Sequence, residues 1–515
     1  MNILYVLYGD FSSNSTNPLA LYTRELSRRG HCCAVAVPSN LETIGLHDNP
    51  AFRPLLYTSV LASPSSVFPD GRPADIIHAC TPREVVRRFI VTYMAEQPTP
   101  LVLYLEDNEY WISTRSLGLD EETLVQYTVQ EILEMMPSSI AHPFYCDSFM
   151  GIADAVVVIQ DKLMSMVPSW VPCKTIMIGV DLDFFSPRKP DHFLREKYGV
   201  AESEKVIVYH GGVNDFTRPA IRTLCEAIGL INQQGFRCRL LRTGPYPIDF
   251  LGQLSNQVTP FISDLGVLPK QDLPDLLALA DVCVQPGKKD SFEDLRLPGK
   301  IPEWLAMGLP VVIPDANIAH LFKDGENATL LHNGCPEEIA EKCMDLFSHP
   351  QKASSIGRAG RLLAEKYFDV RVQATHLEEV YNSARLNFHS AISANIWQGK
   401  GVNFPFELRL ALKLRLLASS EGATHIGDAG RLLQEYAKLM ERMYQRIKGL
   451  EDRLAQEKGS VGHMAKSLSR IIVAPMRFFS RPPTYLFGQR EFQGGLMLVV
   501  RKLKKIYLRE GWPGI

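Results

Sequence analysis

Residues 290–314, DSFEDLRLPGKIPEWLAMGLPVVIP, combine a charged loop, a Pro-Gly turn, a short helical segment and an apolar strand. Lys300 and Glu303 stand near the start of the predicted helix. In an open α/β sheet, a loop and helix N-terminus beyond a strand form a phosphate-binding position, because backbone N–H groups and the helix dipole attract an anion. The stretch therefore predicts a phosphate-binding site with charged side chains beside it.

A second group of reactive side chains, EDNE at 106–109, directly follows an apolar segment at 100–105. That segment has the composition of a buried parallel strand. Open α/β sheets bind their ligands outside the carboxyl ends of the strands, so Glu106 and Asp107 are well placed for chemistry. A solvated loop that caps the following helix is the competing interpretation.

A glycine-containing loop, HGGVND at 210–215, follows an apolar strand at 206–209 and precedes a predicted helix. Gly211 and Gly212 would let backbone amides approach a phosphate closely. Arg218 adds positive charge beside the start of that helix. An ordinary strand-to-helix turn explains the same residues.

Apolar strands alternate with helical segments along the chain, which predicts an α/β class with parallel sheets. One alternating set runs from residue 2 to about 178 and a second begins at 205, so we predict two sheets joined near 180–190. The start of the chain is Rossmann-like. It lacks Gly-x-Gly-x-x-Gly, which disfavours a dinucleotide cofactor.

The composition is that of a soluble globular protein, with 46% hydrophobic and 22% charged residues and a formal net charge of −2. That balance gives no reason to expect a nucleic acid partner. The ten cysteines include no Cys-x-x-Cys pair, which favours reduced, mostly buried thiols in a cytosolic protein. The N-terminus reads as a first strand rather than a signal peptide, and no apolar run is long enough to predict a spanning helix.

Six segments, in this order along the chain, make the sequence resemble retaining GT-B-fold glycosyltransferases of glycosyltransferase family 4. They are DIIHACTP at 75–82, ADAVVVIQ at 153–160, IGVDLDFFSP at 178–187, GVLPKQDLPDLLALADVCVQP at 266–286, PGKIPEWLAMGLPVVIPD at 298–315 and DGENATLL at 324–331. The resemblance implies two Rossmann-like domains facing a cleft. Residues 1–185 would form the acceptor-side domain, 186–388 the nucleotide-sugar domain and 389–515 a helical extension.

The resemblance assigns the nucleotide end of the donor to Glu303, which matches the family's ribose-binding glutamate. A carboxylate can accept two hydrogen bonds from a cis-diol, although a partner for the helix dipole is the competing role. The family's other glutamate, which contacts the sugar, is replaced here by Leu295. The expected donor-binding residues are Gly211, Gly212, Asn214, Gly244, Glu293, Asp294, Arg296, Glu303, Gly308, Leu309 and Pro310.

The resemblance also implies a catalytic group of Glu106, Asp107, Arg218 and Lys300. The two acids occupy the position that faces the acceptor and the sugar. The family's Arg and Lys spacing on the diphosphate is absent from GGVNDFTR at 211–218, so Arg218 and Lys300 are the nearest substitutes. A cation is needed because cleaving the donor leaves negative charge on a nucleoside diphosphate.

The implied reaction is front-face displacement with retention, in which the departing phosphate takes the acceptor proton. Neither a metal nor another cofactor is expected. Asp181 and Asp183 match an Asp-x-Asp metal motif, but their glycine-led turn ending in Ser-Pro favours an interdomain hinge. His78 is expected to be structural. The acceptor would be a glycan or lipid-linked molecule in bacterial surface polysaccharide synthesis.

The C-terminal region has a different composition. Apolar residues recur at steps of three and four in 431–457, which is coiled-coil-like but equally suits an intramolecular hairpin. Residues 471–515 carry eight Lys/Arg against two Glu, a net of +6, interleaved with aromatic residues. Such an end predicts contact with a membrane surface or with a partner protein through 430–515, and hence a peripheral location at the inner face of the plasma membrane.

Two other functions remain open from the sequence. A nucleotide-sugar epimerase of the same fold would need neither an acceptor nor a membrane-seeking tail. A degenerate transferase could serve as a scaffold in a polysaccharide-synthesis complex. Leu295 and the missing phosphate-loop cations favour the scaffold somewhat.

Overall fold

A computed structural model describes residues 1–393, except positions 48, 98, 125, 128, 144, 170, 191, 248, 249, 251 and 253. The extension predicted at 389–515 lies outside the described residues apart from its first five. Its coiled-coil-like segment and its basic end therefore stay predictions. In the part of the chain that is described, no helix is both long and apolar enough to cross a lipid bilayer.

The first sheet has seven parallel strands in the order β3-β2-β1-β4-β5-β6-β7. Its strands are β1 (Asn2–Leu7), β2 (Cys32–Val37), β3 (Arg53–Leu56), β4 (Ile76–Cys80), β5 (Leu101–Leu105), β6 (Ala155–Val158) and β7 (Cys173–Thr175). The helices of this half are α1 (Thr16–Arg28), α2 (Tyr57–Ala62), α3 (Glu84–Glu96), α4 (Glu109–Leu117), α5 (Glu121–Leu124), α6 (Val129–Met135) and α7 (Cys146–Gly151). Every residue of β1, β4 and β5 is buried, as expected for strands covered on both faces.

The second sheet has six parallel strands in the order β10-β9-β8-β11-β12-β13. Its strands are β8 (Lys205–His210), β9 (Cys238–Thr243), β10 (Ile262–Asp264), β11 (Val282–Val284), β12 (Val311–Pro314) and β13 (Thr329–Leu331). The helices of this half are α8 (His192–Lys197), α9 (Arg218–Gln233), α10 (Leu273–Ala278), α11 (Lys300–Ala306), α12 (Pro336–Ser348) and α13 (Pro350–Tyr367). The prediction of two parallel Rossmann-like sheets is confirmed.

Each sheet has a switch point where the strand order reverses. It lies between β1 and β4 in the first sheet and between β8 and β11 in the second. A crevice opens outside the carboxyl ends of the strands at such a point, because the connections leave in opposite directions. The loops after β1, β4, β8 and β11 are therefore the expected ligand-binding loops.

The last described helix, α14 (Val370–Ser393), belongs to the first sheet and not to the second. It packs on α1 and β5, and the Tyr381 hydroxyl hydrogen-bonds His78 Nδ1 at 2.8 Å and Tyr5 Oη at 2.9 Å. The predicted domain range of 186–388 is therefore too long by most of this helix. The chain returns to the first sheet where Val180 and Asp369 form a parallel bridge.

Two elements differ from what their local sequence predicts. The apolar residues at 265–268 predict a strand, but the strand lies earlier, at Ile262–Asp264, and Gly266 turns the chain with φ +65. Asp264 is held there by two hydrogen bonds from the fully buried Arg242. The sequence at 121–136 predicts one helix, and the structure divides it between α5 and α6.

Candidate active site

His210, Glu303 and Trp304 form the hydrogen-bonded centre of the second sheet's switch point. His210 ends β8, and its Nε2 lies 2.6 Å from Glu303 Oε2. The indole N–H of Trp304 donates to His210 Nδ1 at 3.1 Å. Because Nδ1 accepts that bond, the ring proton belongs on Nε2, which donates to the carboxylate. The Glu303 side chain is thus oriented while 23% of it stays exposed.

Lys300 brings a cation to the glycine loop after β8. Its Nζ donates to Tyr209 Oη at 2.8 Å and lies 4.2 Å from the centre of that ring. A Cβ atom added to Gly211 would lie 2.9 Å from the same Nζ, and Gly211 has φ +138. Only glycine lets the loop and the ammonium group approach this closely.

Gly244 supports the glycine loop from the neighbouring strand. It follows β9 with φ +122, and a Cβ atom there would lie 2.6 Å from the carbonyl carbon of Gly211. Gly212 faces Pro245, the residue after Gly244, since a Cβ atom added to Gly212 would lie 3.4 Å from Pro245 Cγ. The glycine at 244 is thus needed for contact between two protein loops, which the sequence did not indicate.

Asn214 and Arg218 shape the start of α9. Asn214 Oδ1 accepts hydrogen bonds from the backbone N–H groups of Phe216 at 3.1 Å and Thr217 at 3.0 Å. Arg218 Nη2 lies 3.2 Å from Asp215 Oδ1 on the same turn. These contacts account for Asn214 as a turn residue, and they join Arg218 to Asp215.

Glu293 and Arg296 stand in the loop between β11 and α11. Glu293 is 7% exposed, and its Oε1 lies 3.1 Å from Arg296 Nη1. Its other oxygen, Oε2, is buried and makes no hydrogen bond to the described residues. Burial raises the pKa of the Glu293 carboxyl, against the opposing effect of Arg296. A buried acceptor of this kind suits a ligand hydroxyl.

Asp294, next in the chain, is engaged by the first sheet's half of the molecule. Its Oδ1 accepts a hydrogen bond from Lys162 Nζ at 2.5 Å, and its carbonyl accepts one from Gln160 Nε2 at 2.9 Å. The N–H of Asn317 also donates to Oδ1, at 3.1 Å. These contacts occupy the carboxylate that the sequence assigned to donor binding.

Glu106 and Asp107 follow β5, at the carboxyl edge of the first sheet. Ser15 Oγ donates to Glu106 Oε2 at 2.5 Å, and burial raises the pKa of Glu106 to about 7. Burial and the nearby Glu109 raise the pKa of Asp107 to about 6, while Arg296 opposes that rise. Trp111, in the helix that begins directly after the acidic loop, stacks on Phe292 with ring centroids 4.5 Å apart, which brings the loop at 290–296 beside the acidic loop.

Glu109 and Arg83 form a buried ion pair behind this acidic loop. Glu109 is fully buried, and its Oε1 accepts from Thr81 Oγ1 at 3.0 Å while Arg83 Nε lies 3.0 Å from Oε2. Arg83 also stacks 3.8 Å from the centre of the Tyr8 ring. The pair fixes the loop ends of β1, β4 and β5. Glu109 belongs to the group at 106–109 for which the sequence left chemistry and a helix-capping loop open, and its ion pair with Arg83 was not predicted.

Gly308, Leu309 and Pro310 lie away from these residues. They follow the carboxyl end of α11 and precede β12, so they stand at the amino edge of the sheet. A Cβ atom added to Gly308 would lie 3.3 Å from Pro187 Cγ, and one added to Gly357 would lie 2.1 Å from Gly308 O. Helix packing therefore accounts for this turn, and its position does not support the expected donor contact.

Asp181 and His78 have structural partners. Asp181 Oδ1 accepts from the backbone N–H groups of Asp183 and Phe184, both at 3.1 Å, while Oδ2 pairs with Arg24. His78 is 4% exposed, and burial lowers its pKa to about 3. Among the described residues, no cluster of His, Cys, Asp and Glu has the arrangement of a metal site.

Residues 204–349, which include His210, Lys300 and Glu303, match the family model described as Glycosyl transferases group 1. The chain is 25% identical over 217 residues to the putative glycosyltransferase EpsD of Bacillus subtilis, covering 40% of this chain and 53% of that protein. It is 27% identical over 223 residues to the GDP-mannose-dependent alpha-(1-6)-phosphatidylinositol monomannoside mannosyltransferase of Mycolicibacterium smegmatis, covering 40% and 55%. The chain thus spans about half the length of these two curated relatives.

The two-sheet architecture is similar to that of HepE from Anabaena, solved in complex with UDP. The TM-score is 0.57 and the identity 17%, over 74% of this chain and 100% of that one. A further structure, WaaG, described as a glycosyltransferase involved in lipopolysaccharide biosynthesis, has a TM-score of 0.53 and 15% identity over 74% and 99%. The fold is therefore that of the GT-B glycosyltransferases.

Proposed function

We propose that this protein is a retaining glycosyltransferase that transfers a hexose from a nucleotide-diphosphate sugar to a glycan or lipid-linked acceptor. The observation that carries the proposal is Glu303, whose carboxylate is held by His210 at the switch point of the second sheet. The match of residues 204–349 to the Glycosyl transferases group 1 model supports the same chemistry.

Glu303 and Lys300 would bind the nucleotide end of the donor. Glu303 Oε2 accepts a hydrogen bond from His210 Nε2, and the carboxylate can still accept hydrogen bonds from the two ribose hydroxyls. Lys300 holds its ammonium group beside the Gly211 loop, where a diphosphate would lie. A fixed cation at this place stabilises the negative charge that the leaving nucleoside diphosphate gains.

Glu293, Arg296 and Asp107 would surround the transferred sugar. The unpartnered Oε2 of Glu293 is a buried acceptor for a sugar hydroxyl, and it stands in for the family glutamate that Leu295 replaces. Asp107, whose pKa is about 6, is suited to accept a hydrogen bond from the sugar or the acceptor near neutral pH.

The proposed reaction breaks the bond between the anomeric carbon and the phosphate oxygen and forms one between that carbon and the acceptor oxygen on the same face. The departing phosphate oxygen takes the acceptor proton, which gives retention without a protein base. Neither a metal nor another cofactor belongs to this proposal.

HepE was solved with UDP and with UDP-glucose, and the Mycolicibacterium relative is GDP-mannose-dependent, which supports a nucleotide-sugar donor here. WaaG, described as involved in lipopolysaccharide biosynthesis, and the Mycolicibacterium phosphatidylinositol monomannoside mannosyltransferase support a role in surface polysaccharide or glycolipid synthesis. We place the protein at the inner face of the plasma membrane, with residues 430–515 as the contact to membrane or partner.

The test is a thermal-shift and hydrolysis panel of UDP-, GDP-, dTDP- and CDP-sugars on the full chain. One donor should raise the melting temperature and be hydrolysed slowly, because a ligand that binds only the folded state stabilises it. Glu303→Ala should remove both effects, whereas Glu326→Ala, at a side chain 69% exposed, should remove neither.

If no donor binds, or if Glu303→Ala changes nothing, the transferase proposal is wrong and the scaffold becomes the better function. Conversion of one sugar nucleotide to another without any acceptor would identify an epimerase instead.

A further inference from the structure

Both halves of the molecule contact the short segment Phe292-Glu293-Asp294. Phe292 and Asp294 contact residues of the first sheet's half, and they also contact Phe216 and Asn317 of the second. Glu293, between them, faces the second half, where it pairs with Arg296, and a Cβ atom added to Gly287 would lie 3.4 Å from its carboxyl carbon. The residue proposed to contact the sugar is thus held by its two neighbours.

The contact on the Phe292 side is aromatic. Trp111 of α4 stacks on Phe292 with ring centroids 4.5 Å apart and planes inclined by 24°. Trp111 also lies 5.6 Å from Phe216, in the turn before α9. Stacked aromatic pairs at these distances stabilise a structure by more than the apolar area they bury accounts for. One tryptophan from the first half therefore meets two loops of the second.

The contact on the Asp294 side is ionic. Lys162 Nζ donates to Asp294 Oδ1 at 2.5 Å, and Gln160 donates to the Asp294 carbonyl at 2.9 Å. Their neighbour Asp161 lies 3.1 Å from His320 Nε2. The segment after β6 therefore contacts Asp294 at two points and the chain after β12 at a third, and the side chains of Lys162 and Asp294 are 33% and 26% exposed.

We infer that Trp111 and Lys162 are positioning residues through which the first half of the molecule sets Glu293 against the donor's sugar. This rests on the proposed function, since it takes Glu293 as the sugar contact. The proposed nucleotide contacts need no such help, because the hydrogen-bond partners that the described residues supply to Glu303, His210 and Lys300 lie within the second half.

The inference separates two halves of donor recognition. A nucleoside diphosphate without its sugar touches only residues anchored in the second sheet's half. The complete donor also requires Glu293, which the first half holds in place. Loosening the grip on residues 292–294 should therefore weaken use of the sugar nucleotide and leave binding of the free nucleoside diphosphate unchanged.

The experiment uses the full chain with the nucleotide that the donor panel selects, beginning with UDP and UDP-glucose. Lys162→Met and Trp111→Leu are each expected to lower kcat/KM for donor hydrolysis by about tenfold, as for loss of a charge-assisted hydrogen bond. The Kd for UDP should change by less than about twofold. Lys162→Arg should retain most of the activity, because the guanidinium group can still donate a hydrogen bond to Asp294.

Matched controls are Lys323→Met, at a lysine 73% exposed, and Phe193→Leu, at a phenylalanine 72% exposed. Both should behave as the unchanged protein. Two independent contacts are tested, so misfolding of the Trp111 variant does not remove the test at Lys162.

A double-mutant cycle gives the decisive result. In a Glu293→Gln background, Lys162→Met should cost less than about twofold, since residues that act through one group are not additive. Full additivity, or equal losses for UDP and UDP-glucose, would overturn the inference while leaving the transferase intact. If the unchanged protein binds no nucleotide sugar, the proposed function fails first and the inference with it.

Discussion

The hydrogen bonds of His210 decide how Glu303 presents its carboxylate. The Trp304 N–H occupies Nδ1, so the imidazole must donate from Nε2. Without the indole N–H, either ring nitrogen could carry the proton, and an Nδ1–H tautomer would leave Glu303 without a donor. The fully buried Trp304 therefore acts on the proposed ligand contact indirectly, because it fixes the tautomer of His210.

We expect Trp304→Phe to raise the Kd for the nucleotide by about three- to tenfold, as for loss of one hydrogen bond. The smaller ring also leaves a cavity and costs about 1–3 kcal/mol of stability. Leu305→Ala, at a fully buried neighbour on the same helix, supplies the control because it lowers stability without touching His210. Isothermal titration should show weaker binding for the first variant only; equal binding by both would contradict the tautomer argument.

The two acids after β5 make stability depend on pH. The folded protein has pKa values of about 7 for Glu106 and about 6 for Asp107, both raised chiefly by burial. Unfolded carboxyl groups ionise near pH 4, so between roughly pH 4 and pH 7 the folded state binds more protons than the unfolded state. These groups should therefore reduce stability progressively as the pH rises through that window.

Glu106→Gln and Asp107→Asn should each raise the melting temperature at pH 8 and flatten its decline between pH 5 and pH 8. The free energy of unfolding should rise by about 1–2 kcal/mol at pH 8, because the variant no longer has to ionise a buried group. Differential scanning calorimetry at several pH values measures it. A melting temperature that falls in the variant at pH 8 would show that another interaction of the carboxylate dominates.

At the scale of elements, two loops from neighbouring strands touch closely because the second turns at a glycine. Gly244 and Gly211 have φ +122 and φ +138, and the backbone of Gly211 blocks any side chain on Gly244. The Lys300 ammonium group lies against the Gly211 loop. A side chain at position 244 would displace that loop and change the distance between the ammonium group and the position proposed for the diphosphate.

Gly244→Ala should lower both stability and donor turnover, with turnover reduced at least about tenfold since small displacements of a catalytic charge are costly. Gly235→Ala is the matched control, because Gly235 also has a positive φ, +88, but open space around it. It should carry only the backbone strain of about 1 kcal/mol and retain activity. Steady-state kinetics and thermal melts on both variants measure the difference.

The sequence predicted elements well where burial on both faces made the pattern continuous, as in β1, β5 and β6. It missed β3, whose four residues include a proline and lie at the sheet edge. It predicted Glu303, Lys300 and Glu293 as site residues from their positions around α11, and these assignments stay predictions. It missed the role of His210 because its partner is 93 positions away along the chain.

The turn at 308–310 shows a different limit of sequence analysis. Its glycine and proline stand close to Glu303 along the chain, which invited a shared role. A helix of seven residues carries the chain about 10 Å, far enough to reach the other edge of the sheet. Residues at the two ends of one short helix are therefore close in sequence but lie at opposite edges of the sheet.

At the scale of the whole molecule, α14 ties the end of the described chain to its beginning. Tyr381 joins His78 and Tyr5 in the first sheet, and Glu378 pairs with His31 at 2.6 Å and with Arg29 at 2.5 Å. The first half of the molecule is therefore complete only with a helix from beyond residue 369.

Tyr381→Phe should lower the melting temperature by about 2–6 °C, because it leaves two buried polar groups without their partner. Tyr198→Phe is the contrasting change, since that hydroxyl is buried without a hydrogen bond to the described residues. It should leave the melting temperature within about 1 °C. Equal shifts for the two variants in thermal melts would contradict a structural role for the α14 contact.

The chain leaves and re-enters the first sheet's half of the molecule beside Val180, so the second half is an insertion into the first. The chain leaves the first sheet beside the point where it returns, since Val180 N donates to Phe368 O at 2.7 Å and Val370 N donates to Val180 O at 3.1 Å. Gly179 permits this approach, because a Cβ there would lie 2.9 Å from Val370 Cγ2. Residues 181–369 are therefore one continuous cassette with adjoining ends. If this cassette binds the donor as we propose, its replacement as a single piece should alter donor choice and leave acceptor recognition unchanged.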